Sequence, residues 1–310
     1  MVIRERAAGS FAARTTCPTT RRGFLLVAAA FGVCVVPPLA RAGAATPRVA
    51  AIDWAMLETA LALGVTPVAA TELVLFRKAA VEPAVPDEVA DLGLRGSVSY
   101  ERLLAARPDL ILISPWYEAR RSALSRIAPV ESYSIYDTGR PPYDAAVAAT
   151  ERLGARLGRA VEAARAIGEA DGAIASARSA LARLQGRQVL VMNLGDTRRF
   201  RAFGADSMFG DVLSRVGLPP AWAEPTRFGA YPTVGVEALA KTPEAIVVNV
   251  GPTPPSALVG MHESPLWRAM PPIAKGRFVS IAPVNPYGAL PAAARFARIL
   301  AESLSAVRDA

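Results

Sequence analysis

The 310-residue chain carries 35 basic and 27 acidic side chains, one histidine and two cysteines, for a formal charge of +8. Six of the arginines and one acid fall in residues 1–42. That leaves 29 basic against 26 acidic residues beyond them, too even a balance for a nucleic-acid-binding surface. Cys17 and Cys34 lie in the same leading segment and His262 is the lone imidazole, so residues 43–310 hold no disulfide, thiolate site or multi-histidine metal site.

The leading segment has the parts of an export signal. Thr20-Arg21-Arg22-Gly23-Phe24-Leu25-Leu26 reads as a twin-arginine motif. An apolar run from Phe24 to Val36 follows it, and Ala40-Arg41-Ala42 closes the segment as a small-residue cleavage site. The run is shorter than the ~20 residues that span a bilayer. Cleavage near Ala42 and a periplasmic location are therefore expected. About 268 residues remain, enough for two domains with their own cores.

Beyond the signal, short apolar segments alternate with helices. Arg48–Ile52 and Val68–Ala70 read as strands. Between them a helix from about Trp54 to Leu63 stops at Gly64, with Pro67 beyond. Residues 76–97, with Pro83, Pro86, Gly93 and Gly96, read as irregular. A helix over Tyr100–Ala106 leads into Asp109–Ser114, a continuous apolar run of the kind found in buried parallel strands. A helix over Arg120–Ile127 and a strand over Val130–Ile135 follow. From Pro142 to Leu184 the chain is rich in Ala, Arg, Glu and Leu, and Arg159–Leu184 as one helix would be ~39 Å long. The first pattern then returns: a strand over Gln188–Met192, a helix over Met208–Val216 stopped by Gly217, and a strand over Phe278–Ile281.

The return is a weak internal duplication. Glu237-Ala238-Leu239-Ala240-Lys241-Thr242-Pro243 mirrors Glu101-Arg102-Leu103-Leu104-Ala105-Ala106-Arg107-Pro108, and Glu58 with Gly64–Pro67 mirrors Asp211 with Gly217–Pro220. The expected fold is α/β: two Rossmann-like lobes joined by one long α-helix. The expected divisions are a signal over 1–42, a first lobe over 47–140, a helical segment over 141–186 and a second lobe over 187–310. A cleft between lobes, at the carboxyl ends of parallel strands, is where a ligand is expected. A rigid connecting rod implies small closure on binding.

Several segments, in order, resemble one family. They are Leu61-Ala62-Leu63-Gly64-Val65-Thr66-Pro67, Asp91-Leu92-Gly93-Leu94-Arg95, Arg126-Ile127-Ala128-Pro129, Phe203-Gly204-Ala205-Asp206-Ser207-Met208-Phe209, Ser264–Pro271 and Pro283-Val284-Asn285-Pro286-Tyr287-Gly288-Ala289. Together they resemble the periplasmic ferric-hydroxamate siderophore-binding proteins, of the helical-backbone class of solute-binding proteins that serve ABC importers. The resemblance implies an aromatic-lined cleft in which an arginine and a tyrosine, here Arg95 and Tyr117, touch the oxygens around iron. A guanidinium suits such negative oxygens, and a phenol adds one hydrogen bond. The iron arrives with its own ligands, so no intrinsic cofactor or protein metal site is expected.

Further ligand contacts are expected from Trp54, Trp116, Tyr231, Asn285 and Tyr287. Ala79, Gly229 and Asn285 stand where the family can carry tryptophan. Arg227 replaces a smaller polar residue and favours a more anionic ligand, such as a citrate-based or mixed carboxylate–hydroxamate siderophore. Trp222 and Trp267 read as packing residues, and His262 as a surface residue. The class implies a monomer that docks on an inner-membrane permease with its ATPase. Glu118 on the first lobe and Glu237 or Glu263 on the second are candidate docking carboxylates. The alternative cargo is haem, held through Tyr117 or His262, or cobalamin or another chelate. An enzyme is not expected, because Gly-x-Gly-x-x-Gly, phosphate-loop and Gly-x-Ser-x-Gly motifs are absent.

Overall fold

The structure, a computed structural model, describes residues 47–137, 140–224 and 233–305, all within one compact unit. The expected export signal, Arg227, Gly229 and Tyr231 lie outside the described residues.

The first sheet is built by β1 (Val49–Ala51), α1 (Trp54–Ala62), β2 (Ala69–Ala70), α2 (Leu73–Ala79), β3 (Ala90–Asp91), α3 (Tyr100–Ala106), β4 (Leu110–Ile113), a 3-10 turn over Pro115–Arg120, α4 (Arg121–Leu124) and β5 (Val130–Ser132). Its strands run parallel in the order β3-β2-β1-β4-β5. Every residue of β4 is buried, as an all-apolar strand covered on both faces requires. Asp53 starts α1 by accepting the Ala55 N–H at 2.8 Å, and Ser99 caps α3 in the same way.

Two helices then cross to the second sheet: α5 (Tyr143–Leu157) and α6 (Ala160–Ala180), followed by a 3-10 turn over Ala182–Leu184. The crossing is thus shorter than one rod ending at Leu184. Gly158, at φ +67°, breaks the path between α5 and α6, and the last turn tightens to 3-10 geometry after Leu181.

The second sheet comprises β6 (Val189–Leu194), β7 (Arg199–Phe203), β8 (Thr233–Gly235), β9 (Ile246–Val250) and β10 (Phe278–Ile281) in the order β10-β9-β6-β7-β8. Its helices are α7 (Met208–Val216), α8 (Pro255–Glu263), α9 (Pro265–Ala269), α10 (Pro271–Ala274) and α11 (Leu290–Ser305). β10, β9 and β6 are parallel, but β7 turns back against β6 and β8 against β7. This antiparallel edge departs from the plain repetition of the first half.

The two halves share one apolar core. It joins Val49, Leu110 and Leu112 of the first sheet to Val189, Val191 and Val248 of the second through α1, α5, α6, α7 and α11. On α6 the buried stripe is almost wholly alanine (Ala163, Ala166, Ala170, Ala177, with Ile174), which lets α11 lie close along it. The Glu58–Asp211 correspondence is also physical. Both carboxylates are buried, and each receives a backbone N–H at the start of a distant helix. Glu58 takes that of Ala289, just before α11, at 2.9 Å; Asp211 takes that of Tyr143, at the start of α5, at 2.8 Å.

Departures elsewhere are local. Within the stretch read as irregular, α2 continues to Ala79 and β3 forms a two-residue strand. α2 has no side-chain cap to announce it, because Glu72 at its start sits in the left-handed region (φ 50°). In the segment over Arg120–Ile127 only Arg121–Leu124 is α-helical, one turn that follows the 3-10 turn over Pro115–Arg120, rather than a continuous helix. His262 lies on the last turn of α8, exposed, and Trp267 is buried with its indole N–H on the Thr197 carbonyl at 2.7 Å.

Candidate functional site

A cavity of about 360 Å³ gathers residues from both halves: Trp54 after β1, Arg95 after β3, Asn193 at the end of β6, Gly251 after β9, and Val284 and Tyr287 after β10. Each of these follows or ends a strand of the parallel sets, so the cavity sits at carboxyl ends contributed by both sheets, where α/β folds place ligands.

Arg95 dominates its first wall. The guanidinium lies 3.9 Å from the Trp54 ring centroid and 5.1 Å from that of Tyr287, and the two rings meet edge to face at 6.4 Å. Its Nε donates to Glu72 at 2.6 Å, with the two side chains only 23% and 14% exposed. The loop carrying it is pinned from outside, where the Arg120 guanidinium donates to the Arg95 and Gly96 carbonyls. The Trp54 indole N–H is held on the Thr71 carbonyl at 3.1 Å. A planar cation is therefore fixed between two rings by a carboxylate behind it. That leaves its outer N–H groups to meet an anionic surface, with little side-chain entropy still to lose.

Tyr287 is oriented by a buried relay. Asn285 is fully buried. Its amide N–H donates to Glu58 at 2.6 Å, and its amide oxygen accepts the Tyr287 N–H at 3.0 Å. Asn285 was expected to line the cleft; it lies beneath it, its amide turned to the Glu58 carboxylate, and its part is to hold the Tyr287 loop. Burial raises the Glu58 carboxyl from its ordinary 4.5 to about 7, against the lowering effect of the Asn285 and Ala289 donors. Gly288 makes the approach possible, because a Cβ there would stand 2.3 Å from Ala292 Cβ and 2.5 Å from a Glu58 oxygen.

Tyr117 follows β4 but does not line the cavity. It is 4% exposed, packs with Ile52, Leu92 and Ile113, and has its hydroxyl pushed up, mainly by burial. Trp116 beside it is 57% exposed and lines a separate small recess with Asp53 and Tyr133. Of the acidic candidates, Glu118 is gripped by Arg121 through both oxygens, at 2.6 and 2.9 Å, which holds its carboxyl down at about 2. Glu237 and Glu263 share a groove with Arg198 on the second half. Among the described residues no group of three or more His, Cys, Asp or Glu side chains could hold a metal ion. No helix among them is long and apolar enough to cross a membrane.

Arg201, Asn193, Phe203 and Phe209 line the cavity without having been expected to. The signal for the strand that carries Arg201 was present: Arg199-Phe200-Arg201-Ala202 alternates exposed and buried residues just after Gly195-Asp196, a hairpin signature.

Comparison with known proteins agrees with this geometry. A family model described as periplasmic binding protein matches residues 49–284. The iron(3+)-hydroxamate-binding protein FhuD of Escherichia coli is 30% identical over 262 residues, spanning 84% of this chain and 88% of the relative. The crystal structure of FhuD from Vibrio cholerae with bound Fe3+-Desferal superposes with a TM-score of 0.79 at 26% identity, covering 85% of this chain and all of that one. The petrobactin-binding protein YclQ of Bacillus subtilis shares the fold, with a TM-score of 0.68 at 18% identity over 83% of this chain and 92% of its own. With two α/β sheets bridged by helices and a cavity at their carboxyl ends, this chain belongs to the periplasmic binding protein family.

Proposed function

We propose that this protein is the exported solute-binding component of an ABC importer, and that it captures a ferric siderophore of hydroxamate type in the cavity between its two sheets. The observation that carries the reading is Arg95, a guanidinium fixed by Glu72 and framed by Trp54 and Tyr287 on the cavity wall. Such a group forks onto the oxygens of an iron chelate, while the rings cover the apolar backbone of the ligand. The likeness to FhuD over most of the chain supports the hydroxamate class. The protein acts by binding and delivery, without chemistry on its cargo. His262 does not line the cavity and Tyr117 is buried beside it, so haem ligation has no support from the site. Lobe boundaries at 47–140 and 187–310, twin-arginine export with cleavage near Ala42, and a monomeric state belong to the same reading. So does docking on a permease and its ATPase through Glu118 and the Glu237–Glu263 groove.

Trp54 makes the test direct. Ferrichrome- or ferrioxamine-type complexes should quench the intrinsic fluorescence saturably. Arg95→Ala should weaken binding roughly 10- to 100-fold, as expected for lost hydrogen bonds from a charged donor. Binding of haem or cobalamin alone, or siderophore affinity unchanged in Arg95→Ala, would refute the reading.

A further inference from the structure

Over Arg199–Ala202, β7 alternates exposed and buried residues. Phe200 and Ala202 enter the outer core of the second half, while Arg199 and Arg201 are exposed on the other face. Arg201 stands directly across the ladder from Asn193, and both line the cavity. Asn193 spends its amide N–H groups on the Val250 and Pro252 carbonyls, which ties β6 to the loop after β9. Among the described residues of the lining, Arg95 and Arg201 are thus the charged side chains, one from each half, and no carboxylate is among them. Their electrostatic situations differ. Arg95 has Glu72 behind it, whereas among the described residues Arg201 has no carboxylate within ion-pair distance. The Tyr287 hydroxyl feels both cations, which oppose the upward push of burial on its pKa.

A cavity with one compensated and one uncompensated guanidinium carries a net positive field, strengthened by its apolar walls. A ferric tris-hydroxamate is neutral and gives the second guanidinium no countercharge. A ferric chelate in which a carboxylate joins the ligand set is anionic, and a guanidinium binds a carboxylate with two parallel hydrogen bonds. We propose that Arg201 and Arg95 together form a two-arginine subsite that selects anionic, carboxylate-bearing ferric hydroxamates over neutral ones. The inference rests on the reading of the cavity as a ferric-siderophore site, and assigns the specificity-determining role to Arg201.

Fluorescence titrations of the wild type and Arg201→Gln with two probes test it: ferrichrome, a neutral tris-hydroxamate complex, and ferric schizokinen, an anionic citrate dihydroxamate complex. The wild type should prefer ferric schizokinen. Arg201→Gln should weaken that complex about tenfold or more beyond any effect on ferrichrome. Arg201 is exposed, so the variant should melt with the wild type. Ferrichrome bound as well as or better than ferric schizokinen, or both complexes weakened equally by Arg201→Gln, would overturn the inference and leave the siderophore reading standing. Binding of neither complex would remove that reading and the inference with it.

Discussion

Replacing Asn285 with alanine strips the buried Glu58 carboxylate of its side-chain donor and unpairs the Tyr287 N–H. The cost should depend on pH. Glu58 titrates near 7 in the folded chain against an ordinary 4.5, so the folded state holds a proton that the unfolded chain has already lost between those values. Its contribution to stability is full below pH ~4.5, falls as pH rises, and is gone above pH ~7, a swing of about 3 kcal/mol at 1.36 kcal/mol per pKa unit. At about pH 5 the folded Glu58 is largely neutral, and Asn285→Ala removes two ordinary hydrogen bonds, about 1–3 kcal/mol together. At about pH 8 it removes a donor from a buried carboxylate, and the loss should grow by a further ~1–2 kcal/mol. Urea unfolding of both proteins at the two pH values, followed by tryptophan fluorescence, measures the difference. An equal loss at both, or a larger one at the acidic end, would show that Glu58 is not the titrating partner of Asn285.

Two further outcomes follow from buried geometry. Gly288→Ala pushes a methyl group against Ala292 and the Glu58 carboxylate and should destabilise by about 1–3 kcal/mol, read as a lowered melting temperature. Asp211→Ala removes the acceptor of the Tyr143 N–H and of Arg215, both at 2.8 Å, and should cost roughly 2–3 kcal/mol in urea titration; a neutral result would mean that α5 is not anchored through this carboxylate.

Much of the architecture was legible in the chain itself. Strands such as Leu110–Ile113 are continuous apolar runs, and helix ends such as Gly64 and Gly217 are marked by residues that tolerate positive φ. These are local signals, written within a few residues of the element they define. The Glu58–Asp211 duplication was readable too, because the same burial demand recurs in each half. The residues of the site were less accessible. Arg95, Trp54 and Tyr287 could be nominated singly, but their stacking was not visible in sequence. The parity that turns Asn285 inward and Tyr287 outward occurs in a Pro- and Gly-rich loop with no period to read. Arg201 reaches the cavity only because β7 folds back on β6 and sets it across from Asn193. Sequence periodicity says which face of a strand is buried. Which distant strand ends converge on one cavity is decided when the two sheets pack on a common helical core, since the burial that drives that packing has no direction along the chain.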